Sequence, residues 1–215
     1  NRSAEKTAQA PEGGPKHGSV VLTSSQRGDG KTTTVCNLAA ILATNYKLKV
    51  LIIDTDLRRP AVHRYMGIDR GPGFTEIVNG KADYRTIVQE PRVRDIYVIP
   101  AGSRCDNPGG MLSSLAAKEL FERAKNDFDV VLFDTSPVLK TADVQAVGAS
   151  TDAVVFVVKA GVTPRHMIED AFSTLKDTTG MPDACVLTNA TRMLDYYSYW
   201  TNPQYRECYY EDAAV

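Results

Sequence analysis

One stretch constrains this chain more than any other. A short apolar run, 18–24 (GSVVLTS), leads into Ser24-Ser25-Gln26-Arg27-Gly28-Asp29-Gly30-Lys31-Thr32-Thr33-Thr34, and helical periodicity follows through Val35, Leu38, Ala39 and Leu42. A strand, a glycine-bearing turn and a helix in that order make an anion-binding loop. Gly28 and Gly30 let the backbone curl until its N–H groups point inward, and the helix N-terminus adds partial positive charge. Lys31 supplies a full charge for β/γ-phosphates, and Thr32 offers a hydroxyl to Mg²⁺. The usual first glycine, five residues before Gly30, is Ser25 here. Gly30-Lys31-Thr32 therefore gains its meaning from the strand–loop–helix setting, and a turn capped by Thr is the plain alternative. A dinucleotide fingerprint is excluded, because Thr33 stands where the third glycine belongs.

The rest of the chain follows the same alternation. Continuous apolar runs at 49–54 (KVLIID), 96–99, 128–134, 153–159 and 185–188 read as strands, and 32–44, 112–125 and 165–177 read as helices. Unbroken apolar strands are buried on both faces, which predicts an α/β fold. The expected form is a P-loop NTPase whose mostly parallel central sheet is covered by helices on both faces. The chain of 215 residues divides into a flexible N-terminal segment (1–17), a P-loop domain (18–194) and a tyrosine-rich tail (195–215). Asn1 in place of Met reads as a fragment or processed chain, and no signal-peptide pattern is present.

Charge narrows the class. With 25 Lys+Arg against 26 Asp+Glu, the net charge of −1 excludes a strongly basic nucleic-acid binder and a highly charged disordered chain. The longest apolar run is too short to span a bilayer. Cys36, Cys105, Cys185 and Cys208 are scattered with no ligand spacing, which fits reduced thiols in the cytoplasm. Eight arginines gather between Arg58 and Arg104. They read as a solvated surface, with a basic face for an acidic partner as the alternative.

Three acids end strands. LIIDTDLR places Asp54 and Asp56 after the second strand, and VVLFDTSP places Asp134 after another. Ligands of open parallel sheets lie beyond the carboxyl ends of the strands, where the phosphate loop also lies. Convergence on one Mg-nucleotide position follows, although a lone Asp after a strand is commonly a turn or cap residue.

These stretches resemble the Walker A, A′ and B motifs of the bacterial protein-tyrosine kinases of polysaccharide export. The resemblance covers residues 18–215, and its most specific element is the A′ pattern, three aliphatics followed by Asp54-x-Asp56-x-Arg58. The resemblance implies ATP and Mg²⁺ as cofactors. Arg27, Gly28, Asp29, Gly30, Lys31, Thr32, Thr33 and Arg58 would bind the nucleotide. Thr32, Asp56 and Asp134 would hold the metal, directly or through water, and Lys31, Asp54, Asp56 and Asp134 would form the catalytic set. Asp54 would accept the proton of a tyrosine hydroxyl. Arg58 is open between a phosphate or tail contact and a salt bridge.

The tail carries Tyr196, Tyr197, Tyr199, Tyr205, Tyr209 and Tyr210. In this family such a cluster is the autophosphorylation site, which implies these six as phosphoacceptors, modified in trans within a homo-oligomer. The resemblance also implies a membrane activator or fused membrane domain of the polysaccharide co-polymerase type, a cognate tyrosine phosphatase, and a place at the inner face of the cell membrane. Departures from the pattern are Arg27 and Asp29, where Pro and Glu are frequent, and the lack of an E-x-x-R-x-x-R segment within 1–17.

Two other classes share the motifs. A ParA/MinD-like ATPase, acting as a nucleotide-gated positioning module, would carry its signature lysine where Gln26 stands and glycine where Arg27 stands. A non-enzymatic assembly module would use the tail tyrosines only as interface residues.

Overall fold

A computed structural model describes residues 18–190. Six strands form one parallel sheet: β1 (Gly18–Ser24), β2 (Val50–Asp54), β3 (Ile96–Ile99), β4 (Val130–Asp134), β5 (Ala153–Lys159) and β6 (Ala184–Thr188). Their spatial order is β3-β2-β4-β1-β5-β6. The chain moves outward one way from β1 to β2 and β3, then returns through β4 and leaves the other way to β5 and β6. The direction reverses between β4 and β1, so the carboxyl ends of those two strands form the crevice where such sheets bind ligands.

Side-chain alternation explains why unbroken apolar strands suit this arrangement. Leu51, Ile53, Val131, Phe133 and Phe156 enter one buried cluster, whereas Val50, Ile52, Leu132 and Val157 enter the other. Helix α1 (Lys31–Tyr46) and the short α2 (Val62–Met66) cover the second face, with Val35, Ala39, Ala43 and Val62 buried. The first face is covered by α3 (Phe74–Val78), α4 (Tyr84–Ile87), α5 (Pro108–Leu112), α6 (Leu115–Asp127), α7 (Asp143–Gly148) and α8 (Arg165–Lys176). Phe121 anchors this side, edge-on to Phe133 at 4.9 Å and stacked with Phe74 at 5.9 Å.

Two sequence expectations need correction. The helix expected over 112–125 starts later, at Leu115, because Leu112 ends α5 and the chain turns at Ser113 and Ser114, the Ser114 hydroxyl accepting the Ala117 N–H at 3.2 Å and starting α6 afresh. The stretch 58–104, in which only the strand 96–99 was expected, also contains α2, α3 and α4, each of four or five residues and too short to show a period. Cys36, Cys105 and Cys185 are free thiols, and burial pushes the Cys36 thiol up to about 12. Cys208, the segment 1–17 and the tail from 195 onward lie outside the described residues. Among the described residues no helix is long and apolar enough to cross a membrane.

Candidate functional site

Register builds the site. Leu22 of β1 and Asp54 of β2 both pair with Asp134 of β4, so two acids and the start of the glycine loop arrive at one sheet edge. The loop then turns on Gly28 (φ 85°) and Gly30 (φ 99°), both in the left-handed region that favours glycine. At Gly30 a Cβ would also stand 3.1 Å from the Thr188 methyl carbon. Asp29 lies between them with its side chain turned inward. Its carboxylate accepts from the Thr163 hydroxyl at 2.8 Å and the Gln26 N–H at 3.2 Å. Asp29 therefore shapes the loop; its side chain, expected to touch nucleotide, is fully buried and does not line the cleft.

A cleft of about 610 Å³ opens over this edge, lined among others by Arg27, Gly28, Gly30, Lys31, Thr32, Thr33, Asp56 and Arg58. These are eight of the residues expected at a nucleotide site, brought together from the loop after β1, the start of α1 and the segment after β2. A side cavity of about 190 Å³ shares Arg27, Asp56, Arg58 and Arg59 and adds Ser136. Lys31 is largely buried, and its ammonium meets the Ser24 hydroxyl at 3.1 Å. Burial lowers its pKa, against the raising pull of Asp134 and Asp56.

The metal question can be put to the donors themselves. The Thr32 hydroxyl donates to Asp134 Oδ2 at 2.6 Å, and the Ser136 hydroxyl to Asp56 Oδ1 at 2.8 Å. Asp134 Oδ1 and Asp54 Oδ1 are buried with no partner. Asp134, a buried carboxylate with one orphaned oxygen and the Thr32 hydroxyl on the other, beside the phosphate loop, fits a divalent cation. Among the described residues no three His, Cys, Asp or Glu side chains converge as a metal cage. Mg²⁺ is commonly bound through one or two carboxylates, with its other positions left to phosphate, water and hydroxyl oxygens.

Without a cation the burial is costly. Desolvation raises Asp134 to about 7, with Asp56 adding to the rise and Thr32 and Lys31 opposing it. Asp54 is raised well above its ordinary range by burial and then by Asp134. A folded-state carboxyl with a raised pKa holds its proton where the unfolded chain has lost it. The stability that Asp134 contributes to the nucleotide-free protein should therefore be fully present below the ordinary carboxyl pKa of 3.8 and be lost as pH rises toward about 7. The stabilisation given by Mg·ADP should grow over the same window, because ionised Asp134 is the form that suits a cation. Melting temperatures with and without Mg·ADP from pH 5 to 8 check this, and Asp134→Asn should flatten the trend.

Asp54 and Asp134 do not line the cleft; both are buried beneath it. Asp54 Oδ2 accepts the N–H groups of Ala61 and Val62, each at 3.1 Å, and so fastens the start of α2. Arg58 forms the salt bridge that one of its two readings expects, its Nε meeting Asp143 Oδ2 at 3.2 Å, and the residue also lines the cleft. All six tail tyrosines lie outside the described residues. Sequence reasoning did not place Arg59, Arg64, Tyr65 and Arg70 in the cleft, which they also line. Arg59, adjacent to the A′ acids, could have been found. Arg64 and Arg70 carry no sequence signal for that position.

Comparison with known proteins agrees with this geometry. Residues 19–179 match the AAA_31 family model, an AAA domain. Tyrosine-protein kinase YwqD of Bacillus subtilis (strain 168) is 38% identical over 153 residues, which are 71% of this chain and 64% of that protein. Tyrosine-protein kinase ptk of Acinetobacter johnsonii is 43% identical over 114 residues, 53% of this chain but 15% of that protein. The chain thus spans less than two thirds of these relatives. The kinase domain of the Escherichia coli tyrosine kinase ETK superposes with a TM-score of 0.76 at 26% identity, covering 81% of this chain and 68% of that one. The septum site-determining protein MinD of Pyrococcus horikoshii superposes at 0.66 with 20% identity, over 81% and 71%. That second likeness is one of fold alone.

Proposed function

The chain belongs to the AAA_31 family and, within it, to the bacterial tyrosine-protein kinases, and from that premise we propose that it transfers the γ-phosphoryl group of ATP to tyrosines of its own C-terminal cluster, between subunits. The observation that carries the reading is the meeting of Lys31, Thr32 and Asp56 in one cleft, with Asp134 hydrogen-bonded behind Thr32.

Each residue then has a role. Lys31 and the Gly28–Gly30 backbone hold the β/γ-phosphates and neutralise charge that builds as the phosphoryl group moves. Thr32 would ligate Mg²⁺ and Asp56 and Asp134 would hold it directly or through water; the ion would offset the carboxylates and polarise the phosphate oxygens. Arg27 and Arg58 flank the phosphates from the open side. Asp54 accepts the acceptor hydroxyl's proton through Oδ1. A phenol has an ordinary pKa of about 10, and a carboxylate whose own pKa is raised takes such a proton more readily than an ordinary one. Catalytic contacts of this kind commonly close only around bound substrate.

The wider proposal follows the same family. The chain acts as a homo-oligomer at the inner face of the cell membrane. There a membrane activator or fused membrane domain of the polysaccharide co-polymerase type controls it, a tyrosine phosphatase reverses it, and polysaccharide synthesis or export responds. Incubation with γ-labelled ATP and Mg²⁺, followed by peptide mapping, should place label on Tyr196, Tyr197, Tyr199, Tyr205, Tyr209 or Tyr210. Replacing all six by Phe keeps the rings, removes the hydroxyls, and should abolish it. Label elsewhere, or hydrolysis with no labelled protein in the presence of the activator, returns the chain to the nucleotide-gated classes.

A further inference from the structure

The cleft holds more positive charge than a nucleotide calls for. Six cationic side chains line it (Arg27, Lys31, Arg58, Arg59, Arg64 and Arg70), against Asp56 as the one acid in the lining. Lys31, Arg27 and the loop N–H groups lie where the phosphates of ATP belong, and Arg58 is paired with Asp143. Arg59, Arg64 and Arg70 remain, all exposed and lining the same cleft. Among the described residues Arg59 and Arg64 have no ion-pair partner, and Arg70 spends only Nε, on the Gly102 carbonyl at 3.3 Å. Neighbouring like charges repel, so the cluster is a cost to the fold.

The cluster is also held in place. Asp54 fastens the first turn of α2, and the Tyr65 hydroxyl meets the Thr33 hydroxyl at 3.3 Å, tying α2 to the phosphate loop. A fixed cationic cluster in the same cleft fits an anionic second substrate. The chain supplies one: 205–212 reads YRECYYED, with Glu207 two residues before Tyr209, and Glu211 and Asp212 directly after Tyr210. We infer that Arg59, Arg64 and Arg70 form a docking wall for acidic residues flanking the acceptor tyrosine, and that its partner is segment 205–212 of a second copy of this chain. The inference rests on the tyrosine-kinase reading for its acceptor, but docking can be measured apart from transfer. Guanidinium-to-carboxylate contacts of this sort are strong and directional.

The test uses the full chain with Mg·ADP and two fluorescent peptides, one copying residues 203–215 and one with Glu207, Glu211 and Asp212 changed to Gln, Gln and Asn. The chain's own tail competes equally with both, so the ratio of affinities is the readout. By anisotropy the acidic peptide should bind about tenfold tighter, the advantage shrinking with added salt. Arg59→Ser/Arg64→Ser/Arg70→Ser should bring the ratio to about one, and Arg64→Glu should favour a peptide carrying Lys at 207. Equal affinity in the parent, or a ratio that survives the triple change, overturns the inference. Docking without label transfer to either peptide from Mg·ATP would instead count against the kinase reading alone.

Discussion

Lys31→Met should reduce tail labelling by about 10²–10³-fold while leaving the protein folded. The ammonium is the one full positive charge buried in the phosphate loop, at 7% exposure. Its pKa is lowered by desolvation, so the charge is held there at a cost and its benefit must appear where charge moves. Methionine fills nearly the same volume and needs no counter-charge. Loss of the hydrogen bond to Ser24 is a small term for the fold. The melting temperature should shift by no more than a few degrees, whereas the labelling rate falls to near background. Loss of the Lys31 charge should also let Asp134 climb further, since Lys31 is among the groups holding it down. Mg·ADP should consequently bind less well at pH 7 and recover part of the loss at higher pH. Titration calorimetry at two pH values, alongside labelling, separates this from simple unfolding. Labelling that survives the change would remove the loop from the chemistry.

The parts of the site that sequence reveals are those fixed by short spacing. Gly28, Gly30, Lys31 and Thr32 occupy one turn, and their roles follow from the backbone of that turn. Asp54, Asp56 and Asp134 are legible because each ends an apolar strand and parallel strands end on one edge; the Asp54–Asp134 register is that rule realised. The remainder depends on residues that meet only through the fold. Asp29 looks like a phosphate-loop residue until Thr163, 134 positions away, takes its carboxylate. Arg58 acquires Asp143 from 85 positions away. Arg64 and Arg70 become cleft residues because α2 folds back over the loop, and a five-residue helix has no period to announce it. The serine pair at 113–114 fails for the opposite reason: the apolar spacing continues across it, and only the Ser114 cap marks the break.

Asp54→Asn should make the protein more stable and a poorer kinase. At pH 8 the parent must either ionise a fully buried carboxyl beside Asp134 or keep it protonated far above its ordinary range, and both cost stability. Asparagine avoids that choice. Its carbonyl oxygen can take the place of Oδ2 and accept from Ala61 and Val62, so α2 stays fastened, and a neutral amide occupies the orphaned side. A rise of about 2–4 °C in melting temperature is expected, the shift that about 1 kcal/mol produces in a chain of this size. The gain should shrink as pH falls and vanish only well below the ordinary carboxyl pKa of 3.8, where the parent carboxyl is protonated in folded and unfolded chains alike. Asp54→Ala should do the reverse, stripping two buried N–H groups of their acceptor at about 1–3 kcal/mol each. The labelling rate of Asp54→Asn should fall about 10²-fold or more, because no group at that position can take the phenolic proton. Its affinity for Mg·ATP should change far less, since Lys31, Thr32 and Asp134 are untouched. A variant that is more stable and labels its tail at the parental rate would leave Asp54 as the anchor of α2 and nothing more. One that is more stable and binds nucleotide but does not label its tail would locate the catalytic base in a carboxylate that burial makes costly to charge.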